Sequence, residues 1–90
     1  MTPRRTAATF TFRHPGARSV SLVGDFNDWN TVSHPLAHDA ARDVWTVTIE
    51  LERGRYEYKF FVDGQHWWND VDAPTVPNIW GSENSYLEVT

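Results

Sequence analysis

The sequence predicts an all-β fold, an antiparallel β-sandwich, on three observations. Apolar residues recur at every second position in several short stretches, which is the period of a half-buried strand. Residues that favour turns, mainly Gly, Asn, Asp and Pro, separate those stretches. No stretch carries apolar residues at i, i+3, i+4 and i+7, the spacing of an amphipathic helix. Many short strands joined by turns favour two packed sheets.

Two strands are predicted near the N-terminus. Thr9–Arg13 carries phenylalanines at its even positions, and Ser19–Gly24 carries Val and Leu at its even positions. Residues 1 to about 6 show no such pattern and are expected to be loosely ordered. Ninety residues suffice for one domain, so we expect a single domain over residues 1–90, with an ordered core over about residues 7–90.

Two longer strands are predicted in the middle of the chain. Trp45–Leu51 is apolar at its odd positions, and Tyr56–Val62 is apolar at its even positions. The short link Glu52–Arg55 contains a glycine that can take a positive φ. The pattern therefore predicts that these two strands form a hairpin.

A second hairpin and a final strand complete the prediction. Asp63 and Gly64 are a strong hairpin signal and lead into Gln65–Trp68, a short return strand. Tyr86–Thr90 alternates again. The inward positions of all these strands predict a core of Phe10, Phe12, Val20, Leu22, Trp45, Val47, Ile49, Tyr56, Tyr58, Phe60, Val62, Leu87 and Val89.

Composition limits the partners. Eight basic against twelve acidic residues give a net charge of −4, which argues against nucleic acid and anionic membranes as partners. The chain has no cysteine, and no apolar run follows its first residues, so we expect no disulfide, signal peptide or transmembrane span and a cytoplasmic location. His34 and His38 are four residues apart, but Pro35 removes the helical face that would pair them. The sequence predicts no metal site and no cofactor.

Tryptophan is the most informative residue type. The chain has five tryptophans, of which Trp45 lies in a predicted strand. The other four, Trp29, Trp67, Trp68 and Trp80, lie in segments rich in Asn, Asp, Gly and Pro. Exposed flat rings among polar residues indicate a ligand surface, and a sugar offers the matching combination of apolar ring face and hydroxyl rim.

Two long motifs are similar to a known family. Val20–Asn30 reads VSLVGDFNDWN, Gly54–Gly64 reads GRYEYKFFVDG, and a closing segment, Asn78–Ser85, reads NIWGSENS. Together they resemble carbohydrate-binding module family 48, which includes the glycogen-binding domain of the AMP-activated protein kinase β subunit and the early-set domains of isoamylases and branching enzymes. The resemblance covers nearly the whole chain and implies an immunoglobulin-like (early-set) β-sandwich that binds α-1,4-linked glucan such as glycogen or starch without catalysing a reaction.

The resemblance also implies the site. Its sugar-binding positions correspond to Trp29, Lys59, Trp67, Trp80 and Asn84, with Trp68 as the alternative to Trp67. His66 looks like a one-residue insertion beside that aromatic position, and Trp80 is larger than the aliphatic residue of the kinase modules. Strand alternation predicts that Trp67 and Trp68 face opposite sides, one in the core and one on the surface.

The sequence is compatible with three functions. The first is the glucan-binding module. The second is a structural or protein-interaction domain that associates with an enzyme of glycogen metabolism and binds sugar weakly or not at all, with the tryptophan patch as its interface. The third, a small glycosidase using Asp70 and Asp72, is disfavoured because 90 residues seldom form the deep cleft that such a carboxylate pair needs.

Overall fold

A computed structural model describes residues 4–90 of the chain as a sandwich of two antiparallel β-sheets. Eight strands and one short 3-10 helix, Asp25–Asn27, form within these residues. The strands are β1 (Arg5–Phe12), β2 (Val20–Gly24), β3 (Ala37–Asp39), β4 (Val44–Glu52), β5 (Gly54–Val62), β6 (His66–Trp68), β7 (Thr75–Pro77) and β8 (Glu83–Val89). The predicted all-β sandwich is confirmed.

The two sheets differ in size. The smaller has three strands in the order β1-β4-β3. The larger has five, in the order β2-β5-β8-β7, with β6 also paired to β5. Strand β5 is central to the larger sheet because β2 lies along one side of it, while β8 and β6 share the other side, pairing with its first and second halves.

The predicted hairpin between β4 and β5 is wrong. Strand β4 pairs with β1 and β3, whereas β5 pairs only with strands of the larger sheet. The link between them crosses from one sheet to the other at Gly54, whose φ of +154° favours glycine. The Tyr56 hydroxyl fastens the corner by donating a 2.8 Å hydrogen bond to the carbonyl of Glu52. Alternation shows that both strands face a core, but it does not say which sheet each one joins.

The second predicted hairpin is confirmed. Strands β5 and β6 pair with Val62 opposite His66, and Asp63 and Gly64 both take positive φ angles, 55° and 66°. Asp63 also holds the loop between β1 and β2, because its Oδ1 accepts hydrogen bonds from the backbone N–H groups of Arg18 (2.7 Å) and Ser19 (3.0 Å). These two bonds lower the pKa of its carboxyl.

The core forms between the facing sheets and is built on aromatic contacts. The Phe12 and Phe60 rings stack at 4.4 Å between centroids, and Tyr58 meets Phe10 edge-on at 4.9 Å. Eight predicted core residues are buried, namely Phe10, Phe12, Val20, Leu22, Tyr58, Phe60, Val62 and Val89. Four further apolar side chains are buried that the predicted core lacked, namely Val23, Leu36, Val44 and Leu51.

Five predicted core residues are only half-buried and pack against the core margin, namely Trp45, Val47, Ile49, Tyr56 and Leu87. Trp45 is the clearest correction. It pairs with Phe12 on one side, but its other neighbour is the three-residue strand β3, where the His38 ring lies 4.9 Å away. Because the smaller sheet ends beside it, Trp45 covers the edge of the core and does not enter it.

The N-terminal strand is longer than predicted. It begins at Arg5, opposite Glu52, so Arg5 and Thr6 belong to a strand and are not loose. The part of that prediction that concerns residues 1–3 lies outside the described residues. Strands β3 and β7 were not predicted, because three residues are too few to show an alternation and β7 ends on Pro77 at a sheet edge. Within residues 4–90, no helix is long and apolar enough to cross a membrane.

Candidate carbohydrate-binding groove

The outer face of the larger sheet carries most of the side chains that were predicted to form a sugar site. Successive side chains alternate along β5, so Tyr58 and Phe60 point into the core while Glu57, Lys59 and Phe61 point away from it. Strand pairing brings neighbours onto this outer face, with Trp67 of β6 opposite Phe61. Asn84 of β8 shares the face, two residues from the residue that pairs with Glu57.

A groove of about 970 Å³ lies on this face, and all five residues that the sequence assigned to a sugar site line it: Trp29, Lys59, Trp67, Trp80 and Asn84. These residues come from the loop after the 3-10 helix, from β5, from β6, from the loop before β8 and from β8 itself. The remaining lining residues are Asp25, Glu57, Pro77, Asn78, Ile79 and Ser82. We refer to the space lined by these residues as the groove.

Trp29 reaches the groove because the chain reverses sharply before it. Asp28 and Trp29 both take left-handed φ angles, 55° and 59°, which is unusual for a bulky residue and requires support from its surroundings. Part of that support comes from Asn27, whose Oδ1 accepts from the N–H of Gly24 at 3.1 Å while its Nδ2 donates to the carbonyl of Leu22 at 3.0 Å. Asn27 therefore shapes the turn that precedes Trp29.

Asp25 fixes the indole ring itself. Its Oδ1 accepts a 3.0 Å hydrogen bond from Nε1 of Trp29, and its Oδ2 accepts one of 2.8 Å from the backbone N–H of Glu57. The carboxylate therefore ties the ring to β5. The close approach of the turn to β5 depends on Gly24, where a Cβ atom would lie only 2.5 Å from the carbonyl oxygen of Glu57.

Trp67 and Trp68 face opposite sides, as alternation predicts. Trp67 lies on the groove face, its ring centroid 4.4 Å from that of Phe61, whereas Trp68 contacts His14 edge-on at 5.2 Å and does not line the groove. The prediction that one ring would be in the core is wrong, because the two residues are 46% and 47% exposed. Strand β6 has three residues and pairs with β5 alone, so nothing covers its second face fully.

Asn78 holds the loop that carries Trp80. Its Oδ1 accepts hydrogen bonds from the backbone N–H groups of Trp80 (2.9 Å) and Ser82 (3.1 Å), and its own N–H donates to the carbonyl of Ser82 at 2.9 Å. Gly81 turns the chain with a φ of +81°. Trp80 is 83% exposed, so its ring projects from a loop of defined shape.

Asn84 is nearly buried, at 9% exposure, and links Asn78 on one side of the groove with Glu57 on the other. Its Oδ1 accepts from Nδ2 of Asn78 at 3.0 Å, and its Nδ2 donates to Oε1 of Glu57 at 3.1 Å. Since Glu57 is in turn bonded to Asp25, an unbroken chain of hydrogen bonds runs from the Trp80 loop to the Trp29 ring.

Three residues of this network, Asp25, Glu57 and Asn78, were not among the predicted site residues. For Glu57 a signal existed, since it alternates outward on β5 together with Lys59. Asp25 and Asn78 stood in the sequence analysis only as members of the two motifs that contain them. Their roles depend on bonds to strands 32 and 6 residues away, which local sequence does not reveal.

Asp70, one of the two residues considered for catalysis, has structural partners for both oxygens of its carboxylate. Asp70 accepts a 2.7 Å hydrogen bond from the Tyr58 hydroxyl, and its other oxygen accepts from the N–H of Asp72 at 3.0 Å. Burial, followed by the bond to Asp70, strongly raises the pKa of Tyr58. In the described part of the chain, no three His, Asp or Glu side chains gather to form a metal site.

Comparison with known proteins shows which family this chain resembles. Residues 6–90 match the family described as the glycogen recognition site of AMP-activated protein kinase. Among the relatives, 5'-AMP-activated protein kinase subunit beta-1 of Bos taurus is 34% identical over 74 residues, and subunit beta-1 of Rattus norvegicus and subunit beta-2 of Mus musculus are each 35% identical over 74 residues. Each match covers 82% of this chain but 26% of the relative, so the chain spans about a quarter of the length of these subunits.

Proposed function

This chain belongs to the glycogen recognition site family of AMP-activated protein kinase and is a non-catalytic glucan-binding module, and from that premise we propose that an α-1,4-linked glucan lies in the groove. Trp29, Trp67 and Trp80 would stack on glucosyl units, while Lys59 and Asn84 would hydrogen-bond hydroxyl groups. The single observation that carries the proposal is that all five side chains line one groove.

Stacking supplies most of the binding free energy. A glucose ring presents C–H groups on its faces, which are attracted to the negative face of an indole ring while both surfaces leave water. If one stacked unit removes roughly 100 Å² of apolar surface from water, it contributes on the order of 2 kcal/mol. Two or three such contacts, less the entropy lost on binding, correspond to dissociation constants on the order of micromolar to millimolar.

The polar side chains set the orientation of the sugar. Lys59 supplies donors only, whereas Asn84 has both a donor and an acceptor. One hydrogen of the Asn84 amide is engaged by Glu57 and one lone pair of its oxygen by Asn78. One N–H and one lone pair are left for sugar hydroxyls, held in a fixed direction.

Tryptophan fluorescence titrated with maltoheptaose or β-cyclodextrin tests the proposal, because three of the five rings line the groove. We expect a saturable change, and we expect glycogen in a native gel to retard the wild-type protein but not Trp29→Ala. If the wild-type protein showed neither a fluorescence change nor retardation by glycogen, the proposal would be wrong.

A protein partner is a second candidate, favoured by the apolar rim of the groove. Ile79, beside Trp80, is 88% exposed. The hydroxyl groups at the edge of a sugar ring give an apolar side chain of this size no favourable contact, whereas an apolar protein surface does. We propose that an enzyme of glycogen metabolism associates through this rim. Capture of such an enzyme by the wild-type protein, unaffected by soluble maltoheptaose and lost in Ile79→Ser, would support it. Capture that maltoheptaose abolishes would show that glucan alone bridges the two proteins.

A further inference from the structure

Glu57 lies in the groove with its position fixed from two directions. Its backbone N–H donates to Oδ2 of Asp25 at 2.8 Å, and its Oε1 accepts from Nδ2 of Asn84 at 3.1 Å. It lies two residues before Lys59 on the outward face of β5 and lines the groove together with it. The first bond holds the backbone and the second holds the side chain, which therefore loses less conformational freedom when a ligand arrives, so its contacts favour binding more strongly.

The second carboxylate oxygen of Glu57 is free to accept a hydrogen bond. Within residues 4–90, Oε1 is hydrogen-bonded to Asn84 and Oε2 has no hydrogen-bond partner. An ionised carboxylate only accepts hydrogen bonds, and a sugar hydroxyl is a donor that suits it. Such charge-assisted bonds are shorter and roughly twice as strong as bonds between neutral groups.

The charge balance of the groove is also set by Glu57. The lining contains the carboxylates of Asp25 and Glu57 and the ammonium of Lys59, a formal charge of −2 + 1 = −1. Both oxygens of Asp25 already accept N–H donors from Trp29 and Glu57, which compensate its charge locally. Glu57 therefore contributes the least compensated negative charge in the groove.

We propose, resting on the function proposed above, that Glu57 is a specificity-determining residue. It accepts a hydrogen bond from a hydroxyl of an uncharged glucosyl unit and disfavours a unit that carries a phosphate ester. A phosphate ester has a charge of about −1.5 to −2 at neutral pH and offers acceptors where Glu57 needs a donor. Lys59 attracts the phosphate, but its single ammonium leaves the lining of the groove with a net formal charge of −1.

The test compares two ligands, maltoheptaose and maltoheptaose bearing one 6-phosphate, by fluorescence titration of wild type, Glu57→Gln and Glu88→Gln. Glu88 is exposed on β8 outside the groove, so Glu88→Gln removes the same charge as a matched control. We expect wild type to bind the neutral ligand at least about fivefold more tightly than the phosphorylated one. Glu57→Gln should weaken neutral binding about three- to tenfold and bring the affinity ratio close to one, whereas Glu88→Gln should leave the ratio within about twofold.

The ratio distinguishes specificity from damage, because a purely structural defect weakens both ligands equally. Glu57→Asp keeps the charge and should therefore keep the discrimination even where neutral binding falls. In wild type, raising the salt concentration should strengthen binding of the phosphorylated ligand and leave neutral binding unchanged.

Equal binding of the two ligands by wild type would overturn the inference and leave the proposed function standing. A ratio that Glu57→Gln does not change would overturn it too. A wild-type protein that binds neither ligand would overturn the proposed function, and this inference with it.

Discussion

Trp29 and Asp25 are joined by a 3.0 Å hydrogen bond from the indole Nε1 to the carboxylate Oδ1, and the same carboxylate binds the backbone of β5. A ring in a left-handed turn is thereby anchored to the central strand of the larger sheet. The ring is oriented before any ligand arrives, so the affinity of the groove should depend on Asp25 as well as on the aromatic residues.

Asp25→Ala should weaken maltoheptaose binding about three- to tenfold and lower the free energy of unfolding by about 1–2 kcal/mol, since two N–H groups lose their acceptor. Fluorescence titration and urea unfolding measure the two effects. Asp25→Asn keeps one acceptor and should fall between Asp25→Ala and wild type. An Asp25→Ala protein that binds as tightly as wild type would show that the ring needs no anchor.

Trp67→Ala and Trp68→Ala form a matched pair, because the two rings are adjacent in sequence and about equally exposed. Trp67→Ala should weaken glucan binding by about tenfold or more, since a stacked ring contributes on the order of 2 kcal/mol. Trp68→Ala should leave the affinity within about twofold, because its ring contacts His14 outside the groove. Equal losses in the two variants would contradict this assignment, and fluorescence titration decides between them.

Asn78→Ala should release the loop that carries Trp80, because two backbone N–H groups and the Asn84 amide lose their partner. We expect about a fivefold or greater loss of maltoheptaose affinity and about 1–3 kcal/mol of lost stability. Asn78→Asp keeps the acceptor for the loop but loses the donor to Asn84, so it should restore part of the stability. Identical behaviour of the two variants would argue against a role for the acceptor.

Gly24→Ala should destabilise the fold by about 1–3 kcal/mol through overpacking. The φ of Gly24 is −175°, so the backbone itself is not strained, and the cause is the 2.5 Å approach of the new Cβ to the Glu57 carbonyl oxygen. Urea unfolding measures the change. Gly16→Ala, at an open position with a φ of +84°, should lose about 1–2 kcal/mol from backbone strain alone and without any clash. The clash predicts a loss of glucan affinity only for Gly24→Ala, because Gly24 pairs with Tyr58 of β5 and its carbonyl accepts a 2.9 Å hydrogen bond from the backbone N–H of Trp29.

Asp63 should make stability dependent on pH. Hydrogen bonds from the N–H groups of Arg18 and then Ser19 lower the pKa of its carboxyl in the folded state, so it stabilises the fold above its unfolded pKa of about 3.9, and this stabilisation is lost as pH falls through the lower folded value. Asp63→Asn should be less stable than wild type at neutral pH, and the difference should shrink as the pH falls below about 4. Chemical unfolding at a series of pH values measures this, and a difference that stays constant with pH would refute the linkage.

Much of the fold could be predicted from local pattern. Alternation located five of the eight described strands and the core pair Phe12 and Phe60, because a strand with one buried face must repeat every two residues, and the Asp63-Gly64 turn signal located β6. It could not say that β4 and β5 part at Gly54, since both strands show an inward apolar face in either arrangement. It also could not say that Trp45 lies at the edge, which follows from the shortness of β3.

By itself, the sequence determined the all-β class, the strands with a clear period of two, the family, and five residues that the folded chain brings together in one groove. Tertiary structure decided which sheet each strand joins, which of Trp67 and Trp68 faces the groove, and how Asp25, Glu57, Asn78 and Asn84 connect Trp29 with Trp80. The physical reason is the separation along the sequence over which each interaction acts. Periodicity and turn preference act between neighbours in the chain, whereas the hydrogen bonds beneath the groove join residues up to 32 positions apart and exist only after the sheet has formed.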